Sequence, residues 1–166
     1  MRATTPRRRA AAADGPRVVL QGAGRWGLPA TPLRRAAAAT LAQAAPRVKG
    51  GVTLVFTTDR AIARLNRDFR GKDAPTDVLS FDIGDGLSPD EPFGDVVISV
   101  ETARRQARAY DAPVIDELQR LIVHGVLHLC GYDHQERAEA ARMHGLTRRL
   151  LRAISPQAPR TKGSRH

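Results

Sequence analysis

The chain has a single cysteine, Cys130, among its 166 residues, which excludes an internal disulfide framework and fits a reducing compartment. It has no apolar run approaching the roughly 18–20 residues that cross a bilayer, so no membrane partner is expected. Its first ten residues lack the apolar stretch of a secretory signal, and a cytoplasmic location is the expectation. Acidic residues are also scarce, 17 against 27 Lys and Arg, for a net charge of +10. The imbalance sits at the two ends: residues 1–17 carry +4 and residues 137–166 carry +7, whereas 18–136 sum to −1. Residues 1–16 and 155–166, basic and interrupted by Pro and Gly, are expected to be a disordered arm and tail. They flank one domain, 17–154, large enough to bury a core without staples. Basic ends attract polyanions through a salt-sensitive term that is blind to sequence. Arginine supplies 24 of the 27 cations, which suits phosphate but equally reflects an Ala/Arg-rich composition. Charge alone only suggests a nucleic-acid partner.

Between the ends the pattern alternates strand and helix. Strands are expected at 17–21, 52–57, 78–82 and 95–99, where β-branched residues cluster. A helix from Thr31 to about Ala45 would open on a Thr cap with Pro32 at its first position. Asp59 can cap a second helix running to Phe69, with Ile62, Leu65 and Phe69 as its buried stripe. A third helix ends near Tyr110, and Pro113 opens a fourth that reaches Leu129. The last, about 135–154, turns Met143, Leu146, Leu150 and Ile154 inward. The expected class is α+β: a four-stranded mixed sheet packed with about five helices, mainly C-terminal.

Three of the five histidines fall within eleven residues, His124, His128 and His134. On a helix, positions i and i+4 lie about 40° apart around the axis and about 6 Å apart along it, so both imidazoles leave one face. Gly131 can adopt the left-handed conformation that ends a helix, letting the chain return His134 to the same point. Three neutral imidazoles converging there form a base for a divalent metal, with a further position left open. That is the layout of a catalytic zinc site, not a closed structural one. Cys130, at the end of an apolar helix, reads as a packing residue. His144, beside the core stripe of the last helix, reads as no ligand.

The spacing H-x3-H-x5-H coincides with the metzincin protease pattern, H-E-x-x-H-x-x-G-x-x-H, in all but one respect. Where those enzymes carry a general-base Glu, this chain has Gly125. A conventional metalloprotease is therefore disfavoured. The stretch His124-Gly-Val-Leu-His-Leu-Cys-Gly-Tyr-Asp-His134 resembles the signature of the YbeY proteins, endoribonucleases of rRNA maturation. Leu65-Asn-Arg-Asp-Phe-Arg-Gly-Lys-Asp-Ala-Pro-Thr-Asp-Val-Leu-Ser-Phe81 and Gly94-Asp-Val-Val-Ile-Ser99 resemble two further blocks of that family, and the likeness spans about residues 17–154.

The resemblance implies that His124, His128 and His134 bind one Zn2+ and that Arg70 is the functional arginine of the cleft. It also implies single-strand-specific cleavage in 16S rRNA 3′-end maturation and quality control of the small ribosomal subunit, which would be the partner. A guanidinium beside a metal suits an anionic phosphodiester better than a neutral peptide. Arg70 could otherwise be a solvated charge at a helix end. Lys72 could add phosphate affinity or be merely solvated. Asp133 could orient a ligand imidazole or cap the last helix. Thr76 and Asp77 read as turn-formers, and Tyr132 and Phe81 as core residues more readily than base-stacking ones. The rival function is a non-catalytic ribosome-assembly factor with a structural metal. Oligomeric state is not legible in the sequence.

Overall fold

The structure, a computed structural model, describes residues 15–155; the basic arm (1–14) and tail (156–166) lie outside the described residues. Strands β1 (Val18–Gln21), β2 (Val52–Thr57), β3 (Val78–Asp82) and β4 (Gly94–Ser99) form one sheet in the order β1-β2-β4-β3. The first two pairings are parallel and β3 runs antiparallel to β4 at the edge, so the sheet is mixed as expected. Five α-helices accompany it: α1 (Ala30–Ala44), α2 (Asp59–Arg70), α3 (Val100–Ala109), α4 (Val114–Leu129) and α5 (Arg137–Ile154). A short 3-10 turn at Gly24–Trp26, not anticipated from sequence, links β1 to α1.

The helices are not gathered on one side. Val52, Leu54, Phe56, Val96 and Ile98 point to the face covered by α1, α3, α4 and α5, forming the main core. Val55, Leu79, Val97 and Phe81 point the other way, to Ile62 and Leu65 of α2. Alternation along each strand separates these two sets, and the second face carries a smaller core because a single helix covers it.

Helix α4 is the centre of the larger layer. Ten of its sixteen residues are buried, and it packs against α1, α3, α5, β3 and β4. Close approach to α1 follows from small residues: Leu33, Ala36, Ala37, Thr40 and Leu41 form the buried stripe of α1. Approach to the sheet is tighter still. A Cβ on Gly125 would lie 2.5 Å from Val96 Cγ1 and 3.2 Å from Ser80 Oγ, and the Ser80 hydroxyl donates to the Gly125 carbonyl at 2.8 Å. Gln119, buried in the same helix, donates to the Pro32 carbonyl and accepts from Ser155, tying α1 and the end of α5 to α4.

Three local expectations fail for tertiary reasons. Helix α1 begins at Ala30 with no side-chain cap, so Thr31 lies inside it and Pro32 occupies the first turn, where its missing N–H costs nothing. Thr58, not Asp59, caps α2, accepting from the Ala61 N–H at 3.2 Å. The Asp59 carboxylate is drawn instead to the β4–α3 junction, where Ser99 and Thr102 hydroxyls each donate at 2.6 Å and Arg105 at 2.8 Å. Phe69, expected in the buried stripe, is 68% exposed. The last turn of α2 reaches β3, the edge strand among the described residues, and the Phe69 ring meets the Phe81 ring edge-on at 5.1 Å.

Burial pushes the Asp59 carboxyl up, but the hydrogen bonds from Arg105, Ser99 and Thr102 and the Arg105 charge outweigh it, holding the group at about 2 against an ordinary 3.8. A depressed carboxyl stabilises the fold above its unfolded pKa and loses that contribution as pH falls through the folded one. Asp59→Asn should therefore lower unfolding free energy at neutral pH, by about 1 kcal/mol once solvent screening of the exposed Arg105 is allowed for. The wild-type decline between roughly pH 4 and pH 2 should flatten in the variant, read by urea denaturation across that range. Gly125→Ala should destabilise despite better helix propensity. The gain of up to about 1 kcal/mol from removing a helical glycine is offset by about 1–3 kcal/mol of overpacking against Val96; a raised denaturation midpoint would contradict this packing.

Candidate metal centre

Two ligand candidates come from the exposed edge of an otherwise buried helix. His124 and His128 stand one turn apart on α4, both half-buried, with their Nε2 atoms 3.0 Å apart and rings inclined at 71°. The third comes from the turn that follows. Gly131 has φ +90°; its N–H donates to the His128 carbonyl, and the Tyr132 N–H reaches back to Leu127. This pair of bonds is the Schellman closure, which requires a left-handed residue where glycine stands. The chain reverses there, and the His134 ring stacks edge-on 5.8 Å from His124 and 5.2 Å from His128.

One donor nitrogen from each histidine lies within 4.8 Å of the others. Zinc–imidazole bonds of about 2.0–2.1 Å at tetrahedral angles place ligand nitrogens about 3.3 Å apart, close to the His124–His128 separation. Three imidazoles without thiolate or carboxylate suit zinc among several borderline divalent ions. The residues fit the group on donor type and spacing.

Metal ligation needs neutral imidazoles, and at the two helix histidines burial favours that form before any ion binds. Burial pushes His124 down to about 4, with the His128, Arg120 and His134 charges adding to the shift and Asp77 opposing it. Burial also lowers His128, helped by His134 and Arg70 and opposed by Asp133.

Arg70 ends α2 as an exposed residue, close enough to the cluster for its charge to act on His128. Lys72 is exposed in the following loop, where its backbone N–H closes α2 onto the Asn66 carbonyl at 3.3 Å. Asp133 does not cap α5, which begins four residues later at Arg137 with Glu136 before it. It lies against the third histidine instead, accepting from the His134 backbone N–H at 2.6 Å, with His134 Nδ1 3.4 Å away. Cys130 packs against the core, and burial raises its thiol to about 11, as expected of an inert packing residue. His144 is exposed on α5 and takes no part in the cluster.

Sequence reasoning missed the support beneath the histidines. Glu117 is fully buried and grips Arg120 through two bonds, Nη2 to Oε1 at 2.6 Å and Nε to Oε2 at 3.2 Å. Both share the stripe of α4 that carries His124 and His128, so their i+3 and i+7 spacing was the available signal. Asp77, read as a turn-former, does fix the entry to β3, its carbonyl accepting from the Ser99 N–H at 2.9 Å. Its carboxylate also accepts from Gln106 at 3.3 Å and acts on both Arg120 and His124.

Gly125 explains the departure from the protease pattern. The position after His124 faces the sheet, with Val96 and Ser80 against it, so a general-base side chain has no room there.

Residues 30–155 match the family described as Endoribonuclease YbeY. An endoribonuclease YbeY of Rhizobium etli is 43% identical over 117 residues, covering 69% of this chain and 68% of that protein. One from Anaeromyxobacter is 47% identical over 121 residues, covering 73% and 62%. One from Myxococcus xanthus is 48% identical over 103 residues, covering 60% of this chain and 35% of that protein. The chain thus spans less than two thirds of the length of two of these three relatives. The fold is similar to the solution structure of TM1509 from Thermotoga maritima, with a TM-score of 0.58 and 25% identity, covering 86% of this chain and 90% of that one. With three quarters of its length matched and its histidine cluster in place, the chain belongs to the endoribonuclease YbeY family.

Proposed function

We propose that this protein is a zinc-dependent endoribonuclease of single-stranded RNA, acting in 16S rRNA 3′-end maturation and quality control of the small ribosomal subunit. The observation that carries the reading is the convergence of three histidines beside Arg70, in a family of endoribonucleases, with no space for a peptidase base. His124, His128 and His134 would hold the ion, which would supply Lewis-acid stabilisation of negative charge. Arg70 binds the same phosphate through its guanidinium fork, which is always charged and matches a phosphodiester's oxygens. Asp133, 3.4 Å from His134 Nδ1, would orient that ring in the tautomer that leaves Nε2 for ligation. Lys72, two residues beyond Arg70, adds charge for the flanking phosphate.

The preference for single strands is supported by Phe69. Its ring is the most exposed large apolar side chain among the described residues and adjoins Arg70 in sequence. An aromatic face beside a phosphate-binding arginine receives an unpaired base by stacking, which a base held inside a duplex cannot offer.

Zinc-loaded protein should cleave a small-subunit rRNA precursor, whereas His124→Ala should lose both metal and cleavage. Arg70→Ala should keep its metal and lose activity on the order of 10²-fold. Equal residual cleavage by all three proteins would point to a contaminating nuclease and leave a non-catalytic assembly role. A 2′,3′-cyclic phosphate product would exclude direct attack by water. Phe69→Ala should weaken single-strand binding by about 1–3 kcal/mol, seen as a raised KM with metal content unchanged.

A further inference from the structure

Together with α5, the turn that carries His134 lines an open surface depression of about 320 Å³, formed by Tyr132, Ala141, Arg142, Gly145, Leu146 and Arg149. We propose that this depression is a second RNA subsite, taking one nucleotide of the strand next to the cleaved bond. The inference rests on the endoribonuclease reading above and names where the strand goes once it leaves the metal centre.

Spacing sets up the site. Arg142 and Arg149 are seven residues apart on α5, hence two turns apart on one face and separated by about 10 Å along the axis. Gly145 lies between them and opens the floor, since a Cβ there would meet nothing within 4 Å. Leu146 supplies a buried apolar base to the depression, and half-buried Tyr132 forms one wall. The composition is that of a nucleotide site: two guanidiniums for phosphate and an aromatic ring with an apolar floor for the base.

Charge favours an anion. Helix α5 carries Arg137, Arg142, Arg148, Arg149 and Arg152 against one acid, Glu139. Some arginines of the fold are engaged, Arg105 by Asp59, Arg120 by Glu117, Arg67 by Asp68 and Arg104 over the Trp26 ring, whereas Arg142 and Arg149 belong to a larger set of exposed arginines without such a partner. Among the described residues, no ion pair or hydrogen bond engages Arg142 or Arg149, and both are exposed. Position links the depression to the chemistry. Tyr132 precedes His134 by two residues, so their Cα atoms are at most about 7.6 Å apart. A strand with one phosphate at the histidines therefore reaches this depression with an adjoining nucleotide.

The test is steady-state cleavage of a single-stranded RNA by the zinc-loaded full chain at several salt concentrations. Arg142→Gln/Arg149→Gln is compared with the wild type and with the charge-matched control Arg35→Gln/Arg47→Gln. All four positions are exposed, so folding is not at stake. The double variant should raise KM about tenfold and reduce the salt slope by about 1.4, the value for two phosphate contacts on a single strand. Its kcat and metal content should match the wild type. Absence of cleavage by the wild type overturns the endoribonuclease reading itself. Normal wild-type cleavage with unchanged KM and slope in the double variant overturns this subsite alone, as does an equal loss in the control pair or a fall confined to kcat.

Discussion

The contact between α4 and the sheet at Gly125 is the constraint on which the rest depends. A helix can press this closely on β3 and β4 only where it has no side chain, and the Ser80 hydroxyl then reaches its carbonyl. That approach fixes the rotation of α4. With Gly125 facing the strands, His124 is turned about 100° around the axis, toward the helix's one polar stripe. The same contact removes the position from which a protease would present its base. Packing and chemistry are therefore decided by one residue: what seats the helix also denies it a peptidase.

The fixed helix then sets the electrostatics. His124 and His128 rise from a surface that is largely desolvated, so the charged imidazolium is disfavoured and lone pairs are free at neutral pH. Cations reinforce this, Arg120 acting on His124 and Arg70 on His128. Such a base invites an ion to replace the protons. Burying Arg120 is tolerable only because Glu117 holds it in a two-bond clasp and Asp77 adds a second negative charge. The pair orders the helix stripe below the metal site; a lone guanidinium there would be strongly destabilising.

What the sequence disclosed divides along the range of the interactions involved. The i, i+4 histidines and the glycine after them are local signals, and the Schellman turn puts His134 where spacing alone said it would go. Strand positions and helix limits followed from periodicity in the same way. Asp59 was misjudged because distant partners, Ser99, Thr102 and Arg105, draw its carboxylate from the helix end, whereas the two readings left open for Asp133 are separated by its neighbour, the His134 backbone N–H. Phe69 was misjudged because its helical face is correct but the sheet ends beneath it. No pattern along α2 records where a neighbouring layer stops.

That last misreading bears on function, because an exposed aromatic at a sheet edge is costly to keep and useful to a binding site. Phe69, Arg70 and Lys72 are exposed at the end of α2 and in the loop after it, and Arg142 and Arg149 are exposed on α5. The neutral, desolvated part of the site lies below, on α4. A compact anion would be served by the arginine nearest the metal alone. Under the proposed function, exposed cations on two helices and the exposed Phe69 ring suit a ligand with charge repeated along its length and flat groups between. An unpaired nucleic-acid strand has that form. A duplex has the charge, but keeps its flat faces stacked away from Phe69 and Tyr132.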